Sequence, residues 1–303
     1  MNTTIKSKEV ARALRVEVPR SPVPRPLTLN ADSLLTRVIC APTVQSLYAR
    51  AREIPILGEF LHKLVLLALP GGSRVTTCLR KGLGSGLFLT LNPRYEAQYA
   101  AGFYEVAMLK CLAAHLKRGD VLYDVGGHIG FVSLVGARLV GLEGKVFAFE
   151  ADPENASRIR DHAQMNALPH VEVVPTAVWS ECKKLSFHSP PASSSRNTGT
   201  VTGEPENASA EGMIVVEAVT LDRFALDHRP PAVIKIDVEG GEEAVLKGAE
   251  TVFLTVKPLL VCEIHHARSA EGVMSWLKSV GYSWTWHGAE SQFPRHLVAQ
   301  ANH

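Results

Sequence analysis

Apolar and polar residues follow a regular pattern from about residue 104 to the end of the chain. Short apolar runs, typical of buried strands, lie at 121–125, 145–149, 171–174, 232–236 and 259–264. Apolar residues at helical spacing fill the intervals and predict helices at about 104–117, 130–140, 153–167, 241–250 and 269–280. This order predicts an α/β fold in which right-handed crossovers join a mostly parallel sheet. The last apolar segments predict a closing antiparallel pair at 282–286 and 296–299.

The first part of the chain has a different pattern and predicts an extension to the α/β domain. Residues 1–30 are basic and rich in proline, so we predict a flexible tail there. Apolar residues at helical spacing between 32 and 69 predict two or three short helices. We therefore divide the chain into the tail at 1–30, a helical extension with a β-hairpin at 31–95, and the α/β domain at 96–303.

Glycine-rich segments stand at two places outside this regular pattern. Gly82, Gly84 and Gly86 precede an alternating apolar segment instead of a helix, which favours a hairpin or bulge over a phosphate-binding loop. Residues 189–213 are rich in Ser, Pro, Gly, Asn and Thr and predict a long irregular loop. Long loops on α/β proteins are often functional, so this one is a candidate for shaping a binding pocket.

The composition is that of an ordinary globular protein, with 46% hydrophobic and 20% charged residues. The formal net charge of +2 gives no support for nucleic acid as a partner. The five cysteines lie far apart without a CxxC pair, so we expect reduced thiols and a cytoplasmic protein. The most apolar run, 64–69, is too short to cross a bilayer, so no integral membrane segment is expected. The sequence leaves the oligomeric state open.

The segment Val121–Phe131 carries the most informative candidate ligand site. An apolar strand leads to Asp124, and Gly126 and Gly130 follow where the chain turns into a helix. In doubly wound sheets such turns lie at the carboxyl edge, where ligands bind. His128 stands where a dinucleotide fingerprint requires glycine, and the Asp124 carboxylate would repel a pyrophosphate. The loop therefore favours S-adenosylmethionine, whose sulfonium and ammonium groups are cationic, over NAD.

The ends of the next two strands complete this predicted cofactor site. Glu150 ends the second strand and can accept hydrogen bonds from both ribose hydroxyls. Asp152 and Pro153 then predict the start of a helix, with Asp152 as its N-cap. Ala177 follows the third strand and lies where the adenine is expected.

Several segments between residues 99 and 266 together resemble the FkbM family of methyltransferases. They are Gly102–Glu105, Asp124–Gly130, Phe149–Asn155, Thr220–Asp222 and Ile234–Glu242, of which the last is the most specific. The resemblance implies a Rossmann-like class I methyltransferase sheet of seven strands, with the last one antiparallel. It also implies O-methylation of a hydroxyl on a sugar, a glycan or a secondary metabolite, and a cofactor contact from Glu105. The chain departs from the family at Gly127 and His128, where Ala-Asn is usual, and at Ala151, where Pro is usual.

An acceptor hydroxyl must lose a proton during methyl transfer, so a base is expected at the ends of the later strands. Asp237 and Glu239 follow the fourth strand, and alternation places them on the face of Lys235. His265 follows the fifth strand and shares the face of Glu263, so it is a candidate proton carrier. We therefore predict Asp237, Glu239 and His265 as catalytic residues and no bound metal. The alternatives are a Lys–Asp ion pair that only fixes the strand end, a surface histidine, and a Glu/His/Asp metal site.

Three function classes stay open on the sequence alone. The favoured one is an S-adenosylmethionine-dependent O-methyltransferase acting on a small-molecule or glycan hydroxyl. A nicotinamide-dependent oxidoreductase is disfavoured by Asp124 and His128. A non-catalytic module that keeps the fold for a partner is the third, because His128 departs from the usual loop.

Overall fold

The computed structural model describes residues 74–93, 95–102, 104–189, 199–203, 212–287 and 293–302. The tail predicted at 1–30 and the helices predicted between 32 and 69 lie outside these residues. The strands are β1 (Val75–Cys78), β2 (Phe88–Leu91), β3 (Val121–Val125), β4 (Lys145–Phe149), β5 (Val171–Val174), β6 (Ala177–Val178), β7 (Lys183–His188), β8 (Thr200–Gly203), β9 (Met213–Val219), β10 (Val233–Ile236), β11 (Leu259–Ile264), β12 (Tyr282–His287) and β13 (Arg295–Ala301). The helices are α1 (Ala97–Ala101), α2 (Val106–His115), α3 (Phe131–Val140), α4 (Pro153–Met165), α5 (Leu221–Ala225), α6 (Glu242–Lys247), α7 (Glu250–Thr255) and α8 (Ala267–Ser279).

A seven-stranded sheet in the order β12-β13-β11-β10-β3-β4-β5 forms the centre of the α/β domain. The pairings β10–β11, β10–β3, β3–β4 and β4–β5 are parallel, and β13 runs antiparallel to both of its neighbours. The predicted Rossmann-like sheet with an antiparallel last strand is therefore confirmed. The strand order reverses direction between β3 and β10, and ligands bind beyond the carboxyl ends of strands at such a switch point.

Side chains of the central strands alternate between two apolar layers, one on each face of this sheet. All five residues of β3 are buried, with Tyr123 in the layer that contains Phe149 and Leu122 in the layer that contains Leu134. A strand that is covered on both faces is a continuous apolar run, so residues 121–125 show no alternation of apolar and polar residues. Within the described ranges, no helix has the length and apolar character that crossing a membrane requires.

The helix predicted at about 241–250 is present as the shorter α6, and a second helix that was not predicted, α7, follows it. α6 ends at Lys247 because the chain passes so close to the backbone of Trp179 that a Cβ on Gly248 would lie 2.1 Å from the Trp179 carbonyl oxygen. Asp222 then caps α7, since its carboxylate accepts the amide hydrogens of Thr251 at 3.0 Å and Val252 at 2.8 Å. The break depends on contacts that are distant in sequence, so helical spacing alone did not predict it.

Part of the segment predicted as a long irregular loop, 200–203 and Met213, belongs to a second, four-stranded sheet in the order β6-β9-β7-β8, and residues 190–198 and 204–211 lie outside the described residues. β8 lies inside the predicted loop, so that part of the prediction is wrong. The sheet buries its own small apolar cluster, which includes Leu185, Phe187, Val216 and Ala218. These residues occupy alternate positions in β7 and β9, a period of two that could have indicated strands.

The predicted hairpin is present as β1 and β2, which pair antiparallel and pack beside α4. Side chains of α4 bind the free backbone edge of β2: Asn166 Oδ1 accepts the Phe88 amide hydrogen at 2.8 Å, and His162 Nε2 accepts that of Thr90 at 2.9 Å. Because His162 Nε2 accepts, Nδ1 carries the hydrogen and donates it to the Ile129 carbonyl at 2.8 Å. The hairpin is thus hydrogen-bonded to a neutral, buried imidazole.

Acid should loosen this contact. Burial lowers the pKa of His162 to about 4, below the value of about 6.5 in an unfolded chain. The stability that comes from the neutral ring is complete above pH 6.5 and is lost as the pH falls towards 4. We expect a His162→Gln variant, which has no titrating ring, to lose about 2–3 kcal/mol less stability than wild type between pH 7 and pH 4.5 in urea unfolding. Equal losses in both proteins would contradict this assignment.

Candidate functional site

A cavity of about 280 Å³ lies at the carboxyl ends of β3, β4, β10 and β11. It stands at the switch point of the seven-stranded sheet, where the sequence placed the ligand. Its lining includes most of the residues predicted for the site, namely Glu105, Gly126, His128, Glu150, Ala177, Asp237, Glu239 and His265. Asp124 and Gly130 are not among the lining residues. The structure therefore brings the predicted donor side and the predicted acceptor side together in one cavity.

The glycine loop after β3 is shaped by a close backbone crossing. Gly126 has φ +78°, and a Cβ at this position would lie 1.8 Å from the carbonyl oxygen of Asp237. The amides of Gly126 and Gly127 donate to the carbonyl of Phe149 at 3.0 and 2.9 Å. Gly130 has φ +87° and packs against Ile159, so it holds the start of α3 from behind the cavity rather than lining it. The loop thus connects the ends of β3, β4 and β10.

His128, which replaces the Asn usual in the family, sits in this loop with a left-handed backbone at φ +50°. Its backbone amide donates to Glu150 Oε2 at 2.7 Å, and its ring Nδ1 lies 3.0 Å from the hydroxyl of Tyr99. Burial lowers the pKa of His128, so the ring is neutral near pH 7. The residue orients Glu150 through its backbone, a contact that does not depend on the side chain.

Glu150 lines the cavity with a carboxylate that the backbone holds at both oxygens. Oε2 accepts the His128 amide hydrogen and Oε1 accepts that of Asp152 at 2.8 Å. Asp152 in turn caps α4 as predicted, since its side chain accepts from the amides of Glu154 and Asn155. Burial raises the pKa of Glu150 to about 8, although both amide bonds favour the ionised form. The carboxylate is therefore fixed in orientation and can accept further hydrogen bonds.

Asp124 does not have the electrostatic role that the sequence indicated. Its side chain is fully buried, accepts the hydroxyl hydrogen of Ser133, and lies 3.1 Å from the ammonium of Lys235. Lys235 also donates to the Gly126 carbonyl at 2.7 Å and lies 3.5 Å from Asp237. Burial disfavours the lysine charge, but the two carboxylates raise the pKa of Lys235 above its usual value. Asp124 is thus neutralised inside the protein, and its direct contact with a cofactor has no support in the structure.

Asp237, Glu239 and His265 form a cluster at the ends of β10 and β11. His265 Nε2 lies 3.5 Å from Asp237 Oδ1 and 3.4 Å from Glu239 Oε2. The other ring nitrogen, Nδ1, lies 2.8 Å from Glu242 Oε1. The alternation predicted for the fourth strand ends at Asp237, because Glu239 has a left-handed backbone at φ +53°.

Alternation placed His265 on the face of Glu263, but its hydrogen-bond partner is Glu242. Glu242 stands in the first turn of α6 and is fully buried. Burial alone would lower the pKa of His265, but the hydrogen bond to Glu242 and the charges of Asp237 and Glu239 raise it to about 9. His265 is therefore already protonated near neutral pH and does not serve as the base in this state.

A second histidine cluster, which the sequence analysis missed, lies on the same cavity. His296 Nε2 lies 2.8 Å from Glu105 Oε2 and 3.6 Å from Glu263 Oε2. Burial opposes protonation, but the two carboxylates raise the pKa of His296 to about 10. Glu263 and His296 are direct cross-strand partners in β11 and β13, so the strand register would have revealed the pair. Glu105, predicted only by resemblance, is held at the cavity by this contact.

The charge of the lining fits a cationic ligand without phosphate. Five carboxyl groups line the cavity, those of Glu105, Glu150, Asp237, Glu239 and Glu263, and the negative charges of the others outnumber the protonated His265 even where Glu150 keeps its proton. Among the described residues that line it, none is a lysine or an arginine. A sulfonium and an ammonium group suit such a site, whereas the pyrophosphate of NAD would be repelled. The negative charge that favours the cationic methyl donor therefore comes from these carboxyl groups on the cavity lining, and not from Asp124.

The second sheet supplies an apolar wall that the sequence analysis also missed. Trp179, Phe187 and Val201 line the cavity opposite the strand ends. Trp179 packs closely on the turn after Glu239, because a Cβ on Gly241 would lie 2.8 Å from its ring. The cavity thus has a charged end at the seven-stranded sheet and an apolar face from the insertion.

Comparison with known proteins gives a family match over residues 124–284, to the methyltransferase FkbM domain. The hexuronic acid methyltransferase AglP of Haloferax volcanii is 29% identical over 163 residues, which cover 53% of this chain and 62% of AglP. The protein-L-isoaspartate O-methyltransferase of Ignicoccus hospitalis is 40% identical over 62 residues, or 20% of this chain and 29% of that protein. The chain thus matches less than two thirds of either relative.

Among solved structures, the methyltransferase FkbM of Methylobacillus flagellatus KT aligns with 13% identity and a TM-score of 0.44, over 67% of this chain and 52% of that one. The family match covers more than half of the chain and includes the glycine loop, Glu150 and the cluster at Asp237. It confirms the resemblance seen in the sequence and, with it, S-adenosylmethionine as the predicted cofactor. The chain belongs to the FkbM family of methyltransferases.

Proposed function

We propose that this chain transfers a methyl group from S-adenosylmethionine to a hydroxyl group of a sugar or glycan. The observation that supports the proposal is the division of one cavity into two ends. Glu150 and the glycine loop form one end, at β3 and β4, and the Asp237 cluster forms the other, at β10 and β11. A donor and an acceptor bound at these neighbouring strand ends would meet inside the cavity.

The donor end would hold the nucleoside part of the cofactor. Glu150 has both oxygens oriented by backbone amides and would accept the ribose hydroxyls, and Ala177 lies beside it on the lining. Gly126 carries no side chain, because the backbone of Asp237 fills that space, so the loop meets the cavity as backbone alone. When bound, S-adenosylmethionine supplies a methyl group that its sulfonium has already activated. The main task of the protein is then to align the acceptor.

The acceptor end would bind the hydroxyl and take its proton. Asp237 is the proposed base, because it lines the cavity and its carboxylate is oriented by Lys235 on one side and His265 on the other. His265, protonated near neutral pH, holds Asp237 and Glu239 in place. A sugar is the proposed acceptor class because the matched AglP is a hexuronic acid methyltransferase and because carboxylates are good acceptors for hydroxyl hydrogens.

Removal of the Glu150 charge should weaken cofactor binding. At pH 9, where the carboxyl is ionised, a Glu150→Gln variant loses about 1.5–3 kcal/mol of charge-assisted hydrogen bonding, so we expect S-adenosylhomocysteine affinity to fall roughly 10- to 100-fold in calorimetry. Because burial raises the pKa of Glu150 to about 8, wild-type affinity should increase between pH 6.5 and pH 9, as the carboxyl loses its proton. The variant should not share this increase. An equal pH dependence in both proteins would remove Glu150 from the ribose role.

The function itself is tested with a methyl-labelled donor and a panel of acceptors that contains neutral sugars, hexuronic acids and oligosaccharides. We expect label in at least one carbohydrate, at an oxygen atom identified by mass spectrometry. Calorimetry with S-adenosylhomocysteine and with NAD provides the control, and binding of the first alone is expected. A protein that binds NAD instead, or that methylates an amine or a carbon centre, would overturn the proposal.

A further inference from the structure

We propose that Asp237, Glu239 and His265 bind a divalent metal ion of the zinc type at the acceptor end of the cavity. The inference deepens the proposed function and rests on it for the nature of the acceptor. It departs from the sequence prediction of a site without metal. One oxygen of each carboxylate and one ring nitrogen lie within 4.8 Å of one another, so a single ion can contact all three side chains.

The separations within the cluster suit coordination better than hydrogen bonding. His265 Nε2 lies 3.5 Å from Asp237 Oδ1 and 3.4 Å from Glu239 Oε2. Good hydrogen bonds from nitrogen to oxygen are about 2.7–3.2 Å long. Two ligands on a tetrahedral ion with bonds of about 2.1 Å are roughly 3.4 Å apart. The two separations from His265 therefore already match those between ligands of an ion of this size, and all three ligand atoms lie within 4.8 Å of one another.

A residue outside the ligand set orients the imidazole in the way that metal-binding histidines require. Nδ1 of His265 lies 2.8 Å from Glu242 Oε1, and Glu242 is fully buried. Glu242 is itself fixed by the hydroxyl of Ser269 and by the amide of Gly240. The hydrogen bond at Nδ1 leaves Nε2 directed at Asp237 and Glu239. A carboxylate on the far nitrogen of a metal-binding histidine is the usual outer contact of such sites.

The charge of the cavity also favours a cation at this end. Its five carboxylates are accompanied by no lysine or arginine among the described lining residues. The protonated rings of His265 and His296 offset only part of the negative charge of Asp237, Glu239 and Glu263, so an anionic sugar would bind better with a divalent cation at this end. An ion on the cluster would take the place of the proton at His265 Nε2, since metal binding releases protons from its ligands.

The second histidine cluster is the less suitable site and provides a matched control. His296 Nε2 lies only 2.8 Å from Glu105 Oε2, the distance of a direct ion pair. An ion between these atoms would require them to move apart. At the first cluster, three protein ligands leave at least one coordination position for an acceptor oxygen, the pattern of catalytic zinc sites. A hydroxyl bound there would have a lowered pKa and would pass its proton to Asp237, which would hold the ion through Oδ1 and keep Oδ2 as the proton acceptor.

The test is calorimetric titration of the metal-stripped full chain with Zn²⁺ in the presence of S-adenosylhomocysteine, with the visible spectrum of the Co²⁺ form as a second readout. We expect one equivalent of Zn²⁺ and a tetrahedral Co²⁺ spectrum. Glu239→Gln and Glu242→Gln should each lower the Zn²⁺ affinity at least about tenfold. Glu242→Gln acts by removing the carboxylate that orients His265. Glu105→Gln, which removes a carboxylate from the same cavity but from the other cluster, should leave the affinity nearly unchanged.

Several results would overturn the metal site. The first is a chain that binds no stoichiometric Zn²⁺, and the second is an octahedral or absent Co²⁺ spectrum. The third is an equal loss of Zn²⁺ affinity in Glu105→Gln and Glu239→Gln, which would show that the ion responds only to the overall charge of the cavity. An unchanged far-ultraviolet circular dichroism spectrum shows that each variant is folded, and the Co²⁺ spectrum of the unmodified chain needs no variant. A metal-free chain that binds S-adenosylhomocysteine but no Zn²⁺ contradicts this inference alone. A chain that does not bind S-adenosylhomocysteine contradicts the proposed function.

Discussion

Replacing Gly126 by alanine should unfold the α/β domain or destabilise it by about 4 kcal/mol or more. The Cβ would lie 1.8 Å from the Asp237 carbonyl oxygen, and both partners are backbone at the centre of the sheet. A left-handed backbone without glycine costs only about 1–2 kcal/mol, so the clash is the larger part of the effect. Any folded fraction should not bind S-adenosylhomocysteine, because the loop and the end of β10 must separate. Urea unfolding and calorimetry measure the two effects.

Gly119→Ala is the matched control for this prediction. Gly119 has φ +87°, but a Cβ there would meet nothing within 4 Å. The control therefore carries the cost of a left-handed backbone without the clash, and it should leave S-adenosylhomocysteine binding intact. If Gly126→Ala is no more destabilising than Gly119→Ala, the close crossing of the glycine loop and Asp237 is not a constraint on this protein.

Asp237→Asn should reduce turnover by about 10²- to 10⁴-fold, the usual contribution of a positioned base. Asparagine keeps the size of the side chain but accepts no proton at this position. Lys235 remains paired with Asp124 at 3.1 Å, so the fold should survive. S-Adenosylhomocysteine affinity should change by less than about tenfold, because Glu150 and the glycine loop remain. Turnover is measured with the labelled donor and the best acceptor of the panel.

The control for this variant is Glu243→Gln, which removes a neighbouring acid from the exposed side of α6. Glu243 pairs with Lys247 at 2.8 Å on the helix surface and does not line the cavity. Its loss should leave turnover unchanged. Full activity of Asp237→Asn would remove Asp237 from the base role, and a loss of cofactor binding as large as the loss of turnover would assign it to the donor end instead.

The sequence sufficed for the central strands and for the position of the cavity. β3, β4 and β5 begin and end at the predicted residues, because each is a mostly apolar run bounded by residues that interrupt it, such as Gly126, Glu150 and Pro175. The turn at Gly126 and the acid at Glu150 were recognisable for the same reason: a strand end and its next few residues are adjacent in the chain. Such features depend only on residues close together in the chain, so the order of apolar, charged and glycine residues predicts them.

The features that the sequence did not predict depend on contacts between distant segments. Asp124 appeared to be a free carboxylate because Lys235, its partner, lies on a different strand. Glu242 had the position of an ordinary first-turn acid, and only the docking of α8 through Ser269 makes it a buried anchor. His296 and Glu105 also pair, although they stand near the end and near the start of the domain's sequence. Spacing along the chain contains no information on which of several charges will meet.

The four-stranded insertion forms one side of the cavity without forming part of the sheet that positions Glu150. Its strands are hydrogen-bonded to one another and not to the seven-stranded sheet, yet Trp179, Phe187 and Val201 form one side of the pocket. Changes of length or sequence between β6 and β9 can therefore reshape that side without disturbing the hydrogen bonds that fix Glu150. Relatives of this chain can diversify in the molecules they accept while the machinery for the shared donor is inherited intact.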